Sequence, residues 1–314
     1  MPDAPRFKAP LATKHLRALT LDARLHPRGQ GHLSAASGLV CANGRVYVIA
    51  DDERHLAVFR DLASPGELHR FAPGDLPVPK GERKRLKPDL EALLLLPPLS
   101  EPGPAALLAF GSGSRPNRHT GVVIPLDSLG EPMVAVQHFD LNPLYEPLRA
   151  ALGEINIEGA MLIGDELLLL NRGVAGRSES AVARYPLQRL RGVIAGDRNR
   201  VVPSAIRRYR LGAIDGVPLG FTDGAALPGG GWVFSAVAEN TASSYADGEC
   251  RGSAIGVVAA SGELLALHRL ARAAKVEGIA VRVDATGMSL CLVTDTDDPA
   301  ENSSLLRARL TRRR

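Results

Sequence analysis

One phrase recurs along the chain: a carboxylate, a small residue, then a strand-like apolar run. It stands most plainly in "INIEGAMLIGDELLLLNRG" (155 to 173) and returns as "PDLEALLLLP" around Glu91, "GFTDGAALPGGGWVFSAV" around Asp223 and "KVEGIAVRVDATGMSLCLVTD" around Glu277. A weaker copy, "AASGLVCANGRVYVIADD", surrounds Ser37. Aligned on the acid, the phrases sit at Ser37, Glu91, Glu158, Asp223 and Glu277, at separations of 54, 67, 65 and 54 residues. A fixed period of this length means a repeated supersecondary unit rather than independent domains.

Within each unit the first apolar stretch is followed by turn residues ("ANG", "GD", "PGGG", "DATG") and a second β-rich stretch such as "RVYVIA" or "ELLLLN". A third follows a polar loop, as in "HLAVFRD" (55 to 61) and "TGVVIPLD" (120 to 127). Several units add a fourth, such as "MVAVQHFDL" (133 to 141), "SAIRRYRL" (204 to 211) and "LLALHRL" (264 to 270). Four antiparallel strands per repeat cannot bury both faces alone but do so when stacked radially, so the pattern predicts an all-β, five-bladed β-propeller over residues 1–314. The last unit stops at "SSLLRARL" without a fourth strand, while "HLRALTLD" (15 to 22) precedes the first. The N-terminal strand is therefore expected to complete the final blade. Six blades stay open if the two wide gaps conceal another unit, and residues 1–13 and 311–314 are expected to be flexible ends.

Composition narrows the function classes. With 45% apolar and 23% charged residues, the chain has the balance of a folded globular protein. Its net charge of +4 comes largely from "KGERKRLK" (80 to 87) and the terminal "LTRRR", read as solvated runs, and aromatics are only 4%. No nucleic-acid partner is expected, because such a surface interleaves basic and aromatic residues. Three cysteines without CxxC spacing suggest neither a disulfide framework nor a zinc knuckle and fit a reducing compartment. The start lacks the apolar core of a signal peptide, and no stretch reaches the roughly 18 apolar residues of a membrane span, so the expectation is a cytoplasmic protein with no membrane partner.

In a propeller the first strand of each blade lines the central channel and the second runs back beside it. The start of one and the end of the other then share a channel mouth, where Glu91, Glu158, Asp223 and Glu277 converge with Ser37. Carboxylates that close repel and raise one another's pKa values unless something neutralises them. A divalent cation would do so, calcium above all, since a ring of oxygens suits its roughly six to eight oxygen ligands. Hydrogen bonds from backbone amides or an arginine would also do so, with glycine permitting close strand approach. Both answers remain open. The loops at that mouth supply Arg115, Arg118, Arg172 and Arg177, which suit phosphate or carboxylate oxygens, so a small anionic molecule is the expected partner. His119 and His55 are placed for proton transfer. No GxSxG, HExxH or Walker motif is present.

At "DLEAL", "NIEGAML", "FTDGAAL" and "KVEGIAV" the sequence resembles bacterial esterase-like phytase domains and the related SdiA-regulated propellers. The resemblance implies a calcium-associated propeller that hydrolyses phosphate or other esters. Paraoxonase- and gluconolactonase-type propellers are more distant analogues, whose ligating asparagines imply that role for Asn171 and Asn240. Ser37 in place of an acid and Ala92 in place of glycine depart from the pattern. Two functions follow as expectations. One is a metal-dependent hydrolase of phosphoester, ester or lactone substrates, with His119 as acid or base, Arg115, Arg118 and Arg172 on the anion, and Glu91, Glu158, Asp223, Glu277, Asn171 or Asn240 on the metal. The other is a non-catalytic propeller that binds a small anion or a protein and keeps a structural cation.

Overall fold

The computed structural model describes residues 5–98, 103–173, 179–240 and 248–311. A first strand, β1 (Thr13–Ala18), precedes five sheets. Blade 1 consists of β2 (Ala36–Ala42), β3 (Arg45–Ala50), β4 (His55–Phe59) and β5 (Glu67–Arg70). After a short helix α1 (Lys80–Leu86), blade 2 consists of β6 (Leu90–Leu96), β7 (Ala106–Gly111), β8 (Thr120–Pro125) and β9 (Gln137–Asp140). Helix α2 (Asn142–Leu152) leads to blade 3: β10 (Ile157–Ile163), β11 (Glu166–Asn171), β12 (Ser180–Pro186), then helix α3 (Leu187–Ile194) and β13 (Ala205–Tyr209). Blade 4 has five strands, with β14 (Ala213–Ile214) edging β15 (Val217–Ala226), β16 (Trp232–Asn240), β17 (Glu249–Val258) and β18 (Leu264–Arg269). Blade 5 is formed by β19 (Lys275–Asp284), β20 (Gly287–Asp295) and β21 (Ser304–Thr311), and β1 is its fourth strand.

The innermost strands touch in the cycle β2, β6, β10, β15, β19 and back to β2, which closes a five-bladed β-propeller. β1 runs antiparallel to β21, pairing Thr13 with Ala308 and Ala18 with Ser304, so the N-terminus fastens the ring as expected. It does so a little earlier in the chain than 15 to 22. Residues 8–13 are not loose: the amides of Lys8 and Leu11 donate to Leu267 and Arg269 carbonyls, and Leu11 is buried. The two wide repeats hold α2 and α3 rather than a sixth blade.

Local chemistry sets the hairpins. Asn43 and Gly44, both at positive φ (51° and 73°), form a two-residue turn between paired Ala42 and Arg45, the turn whose twist matches the strands it joins. Gly164 does similar work between Ile163 and Glu166. The core is divided by blade interface. Leu90, Leu107 and Ile124 of blade 2 pack with Tyr47, Ile49 and Val58 of blade 1, and Phe221, Trp232 and Phe234 of blade 4 pack with Leu168 and Leu170 of blade 3. Each sheet is therefore apolar on both faces, as radial stacking demands. Among the described residues no helix is long and apolar enough to cross a membrane.

Candidate cation site at the channel mouth

Each innermost strand carries a one-residue bulge near its start. Pairing runs Ala36 to Ala50 and then Gly38 to Ile49, Leu90 to Gly111 and then Ala92 to Phe110, Ile157 to Asn171 and then Gly159 to Leu170, Val276 to Thr294 and then Gly278 to Val293. The unpaired residues are Ser37, Glu91, Glu158 and Glu277. A bulge re-aims one side chain and bends the strand, so the recurring phrase is the sequence signature of a bulge. In blade 4 the pairing skips Thr222, from Phe221 opposite Ala236 to Asp223 opposite Ser235. The bulged residue there is thus Thr222, whose hydroxyl donates to the Val276 carbonyl at 2.7 Å.

Asp223 instead occupies the register of Gly38, Ala92, Gly159 and Gly278. Its Oδ2 accepts the Ile279 amide of blade 5 at 2.9 Å and its Oδ1 the Gly224 amide at 2.7 Å. Burial pushes its pKa well up, partly opposed by those amides. With its oxygens committed to backbone, Asp223 leaves the expected ligand set. The same register explains the glycines. A Cβ on Gly38 would lie 2.8 Å from Leu93, one on Gly159 2.7 Å from the Asp223 Cα, and one on Gly278 2.8 Å from the Ser37 carbonyl oxygen. Neighbouring inner strands meet too closely for a side chain there.

Glu91, Glu158 and Glu277 do converge, and the second-strand ends and adjoining loops add Asp51, Asp89, Glu239, Asp295 and Asp297. Among the described residues four cations stand beside them. The Lys87 ammonium pairs with Asp51 and lies 2.8 Å from Asp89 Oδ1. Arg118 holds Asp89 Oδ2 at 2.7 Å, and the Ser112 hydroxyl donates to that oxygen at 2.5 Å. Across the mouth, Lys275 lies 2.6 Å from Asp297, 3.2 Å from Asp295, 3.6 Å from Glu277 and 3.9 Å from Glu239. Arg172 links the halves, 2.5 Å from Glu239 and 3.7 Å from Glu158. Blade 4 makes room for it: a Cβ on Gly220 would lie 2.8 Å from the Arg172 Cγ.

The cations do not neutralise the acids fully. Burial pushes Glu158 up to about 8, with Glu277 and Asp89 adding to it and Arg172 opposing. Burial likewise raises Glu277 and Asp295 to about 7 against the pull of Lys275, and Asp51 to about 6 against that of Lys87. Glu91 is driven well above the usual carboxylate range by burial and then by Asp89, Glu158 and Asp51. Asp89 goes the other way, since Lys87 and Arg118 overcome the burial that would raise it. Glu277 Oε2 is buried and accepts no hydrogen bond among the described residues. Oxygens of Asp51, Asp89 and Glu91 lie within 4.8 Å of one another, the spacing of a shared cation.

Several expected site residues lie elsewhere or are otherwise engaged. His119 is part-buried beside α2, its Nε2 3.1 Å from Arg149 and its ring edge-on to Tyr145; burial and then Arg149 lower its pKa. Arg118 and Arg172 are bound to acids rather than open to an anion, and Arg115 is exposed on the turn before β8. The Asn171 Oδ1 accepts the Asn156 amide at 2.7 Å, a brace for the bulge, and Asn240 is exposed at the end of β16. His55 is buried, its Nδ1 3.8 Å from Glu53, which His26 and Arg28 also hold. Arg177 lies outside the described residues. The run 80 to 87 is not solvated throughout, for Arg83 and Lys87 are buried, Arg83 at 2.8 Å from Asp52. Lys87 was legible only as part of a basic run, Lys275 and Asp89 only as flanks of the recurring phrase, and Asp51 and Asp295 only as members of polar loops, because nothing in a linear charge pattern says which side faces the channel.

The chain belongs to a family of unknown function, DUF6929, whose model matches residues 32–310. No curated protein matches it in sequence. Among solved structures it is similar to the α-L-arabinofuranosidase of Podospora anserina in complex with cellotriose, with a TM-score of 0.52, 9% identity and coverage of 96% of this chain and 97% of that one. An exo-β-1,3-galactanase of Phanerochaete chrysosporium with galactose gives 0.50, 9%, 95% and 64%. The calcium-binding regucalcin of Agrobacterium tumefaciens gives 0.45, 11%, 98% and 98%. At such identities the likeness concerns the fold.

Proposed function

We propose that this DUF6929 protein holds a divalent cation of the calcium class among Asp51, Asp89 and Glu91 and works as a hydrolase of ester, phosphoester or lactone substrates at the channel mouth. The observation that carries the reading is the approach of those three carboxylates within 4.8 Å, from two blades, in a mouth where the described acids outnumber the described cations. The donor set is all oxygen, which suits a hard cation. The orphaned Glu277 Oε2 marks the same mouth as short of positive charge. When bound, such a cation polarises a phosphoryl or carbonyl oxygen.

The chain's own residues supply the rest. Lys87 is the resident counter-charge on Asp51 and Asp89 and would have to release them for a cation to be held there. Glu158, held at Oε1 by the Asn156 amide group at 2.5 Å and with its pKa up at about 8, carries a proton at neutral pH and is the group suited to give one to a leaving oxygen. That role passes to it from His119. Arg172 beside Glu158 steadies the carboxylate left behind. The resemblance of the inner-strand phrases to esterase-like phytase domains supports the choice of ester substrates.

A second reading, a propeller that binds without turnover, is favoured by the commitment of Arg118 and Arg172 to Asp89 and Glu239. A panel of p-nitrophenyl phosphate, phytate, simple esters and lactones, assayed with and without calcium on wild type, Glu158→Gln and Glu91→Gln, separates the two. Metal-dependent turnover lost in both variants supports the hydrolase. Silence across the panel, with cation-induced stabilisation retained, leaves the binding module.

A further inference from the structure

Two of the three cysteines meet where blade 5 adjoins blade 1. Cys41 lies on β2 opposite Val46, and Cys291 lies on β20 between Ala280 and Arg307. The two strands pack directly against one another. Their levels match. A Cβ on Gly278, the partner of Val293, would lie 2.9 Å from the Leu39 Cβ, and two residues farther along come Cys41 on one strand and the Ala280–Cys291 pair on the other. Cys291 packs against the cluster that Leu39 and Val293 share across the seam, and Cys41, two residues along β2 from Leu39, faces the same side. The nearby Cys41, against burial and with help from Arg307, lowers the Cys291 thiol to about 7, which favours its thiolate. Cys41 is exposed and Cys291 partly so, which leaves the pair open to small oxidants. Cys250 stands apart on β17 of blade 4.

We propose that Cys41 and Cys291 form a reversible disulfide that ties blade 5 to blade 1 at the closing seam of the ring. With a peroxide as oxidant, the Cys291 thiolate attacks one peroxide oxygen, the O–O bond breaks, and the departing hydroxide takes a proton to become water. The Cys41 sulfur then attacks the resulting sulfenic acid, the S–O bond breaks, and a second water leaves with the Cys41 proton. Two thiols lose two electrons and the peroxide gains them. A thiol reductant reverses the change by exchange. The bond would close a loop from residue 41 to residue 291 and restrict the unfolded chain, which raises stability in proportion to the logarithm of loop length.

The test uses the full chain, treated under native conditions with a slight excess of hydrogen peroxide, then unfolded, alkylated and digested. The expected result is a linked Cys41–Cys291 peptide pair, a native mass lower by two hydrogens, and a melting temperature higher by about 5–10 °C that dithiothreitol reverses. Cys41→Ser and Cys291→Ser should each abolish the rise, while Cys250→Ser should keep it. Full alkylation of both cysteines after oxidation would overturn the proposal. So would a Cys291 sulfinic acid beside a free Cys41, or linkage through Cys250. Peptide mapping of the wild type decides the matter even where a serine variant fails to fold.

Discussion

The Asp223 carboxylate accepts the backbone amide of Ile279 at 2.9 Å, a bond from the inner strand of blade 4 to that of blade 5. It makes Asp223 a strap between blades rather than a member of the acid ring. Asp223→Ala strips acceptors from two buried amides, those of Ile279 and Gly224, and should cost about 2–4 kcal/mol in chemical denaturation. The calcium-induced shift of the melting temperature should match that of wild type. A variant of normal stability that had lost the calcium response would return Asp223 to the ligand set.

Gly159 tests the same junction from the other side. A Cβ there would lie 2.7 Å from the Asp223 Cα, against backbone that has no flexible end to move. Gly159→Ala should destabilise the protein by about 2–3 kcal/mol through overpacking. A neutral result would show that the inner strands have slack.

Stability should fall as pH rises from about 6.5 to 8 in metal-free protein. Glu158, raised to about 8, and Glu277 and Asp295, raised to about 7, hold protons when folded that the unfolded chain has released. The folded state therefore binds more protons, and raising pH favours unfolding until the folded pKa values are passed. His119, lowered by burial and by Arg149, acts in the opposite sense, but below about pH 6.5. Thermal melts across this range should show the decline, and Glu158→Gln should flatten it. Melting temperatures that climb from about pH 6.5 to 8 would contradict the assignment.

A cation held as proposed at Asp51 and Asp89 would compete with Lys87 for them. Lys87→Met removes the ammonium from a buried pair and should cost about 3–5 kcal/mol without metal. Calcium should restore more stability to this variant than to wild type and bind it at least about tenfold more tightly. Equal calcium affinity in the two proteins, measured by titration calorimetry, would place the cation elsewhere.

Much of this architecture was legible because a propeller blade imposes a local rule five times over. "NIEG" and "VEG" mark a bulge and a close strand contact whatever else the blade contains, and "HLRALTLD" had no partner except the incomplete last blade. The slip in the repeat alignment came where Thr222 and Asp223 stand side by side. The acid drew the alignment, while the bulge took the hydroxyl, and one step of register moves a side chain to a different neighbour. Lys87 and Lys275 could not be foreseen. A lysine within a basic run or before a strand reads as solvated until the fold turns it inward. His119 followed the opposite course, since its placement at a polar loop said nothing of the Arg149 and Tyr145 that α2 brings against it.

We propose that the mouth binds a hard divalent cation through Glu91 together with Asp51 and Asp89. Calcium titrated by calorimetry into chelator-stripped wild type and Glu91→Gln measures it most directly. One cation per chain is expected for wild type, with at least about a tenfold loss of affinity in the variant, since an amide oxygen is a weaker ligand for a hard cation than a carboxylate. Absence of binding to wild type, or equal binding to both proteins, would contradict it, and the ring would then be an ion-pair network completed by Lys87, Arg172 and Lys275 alone.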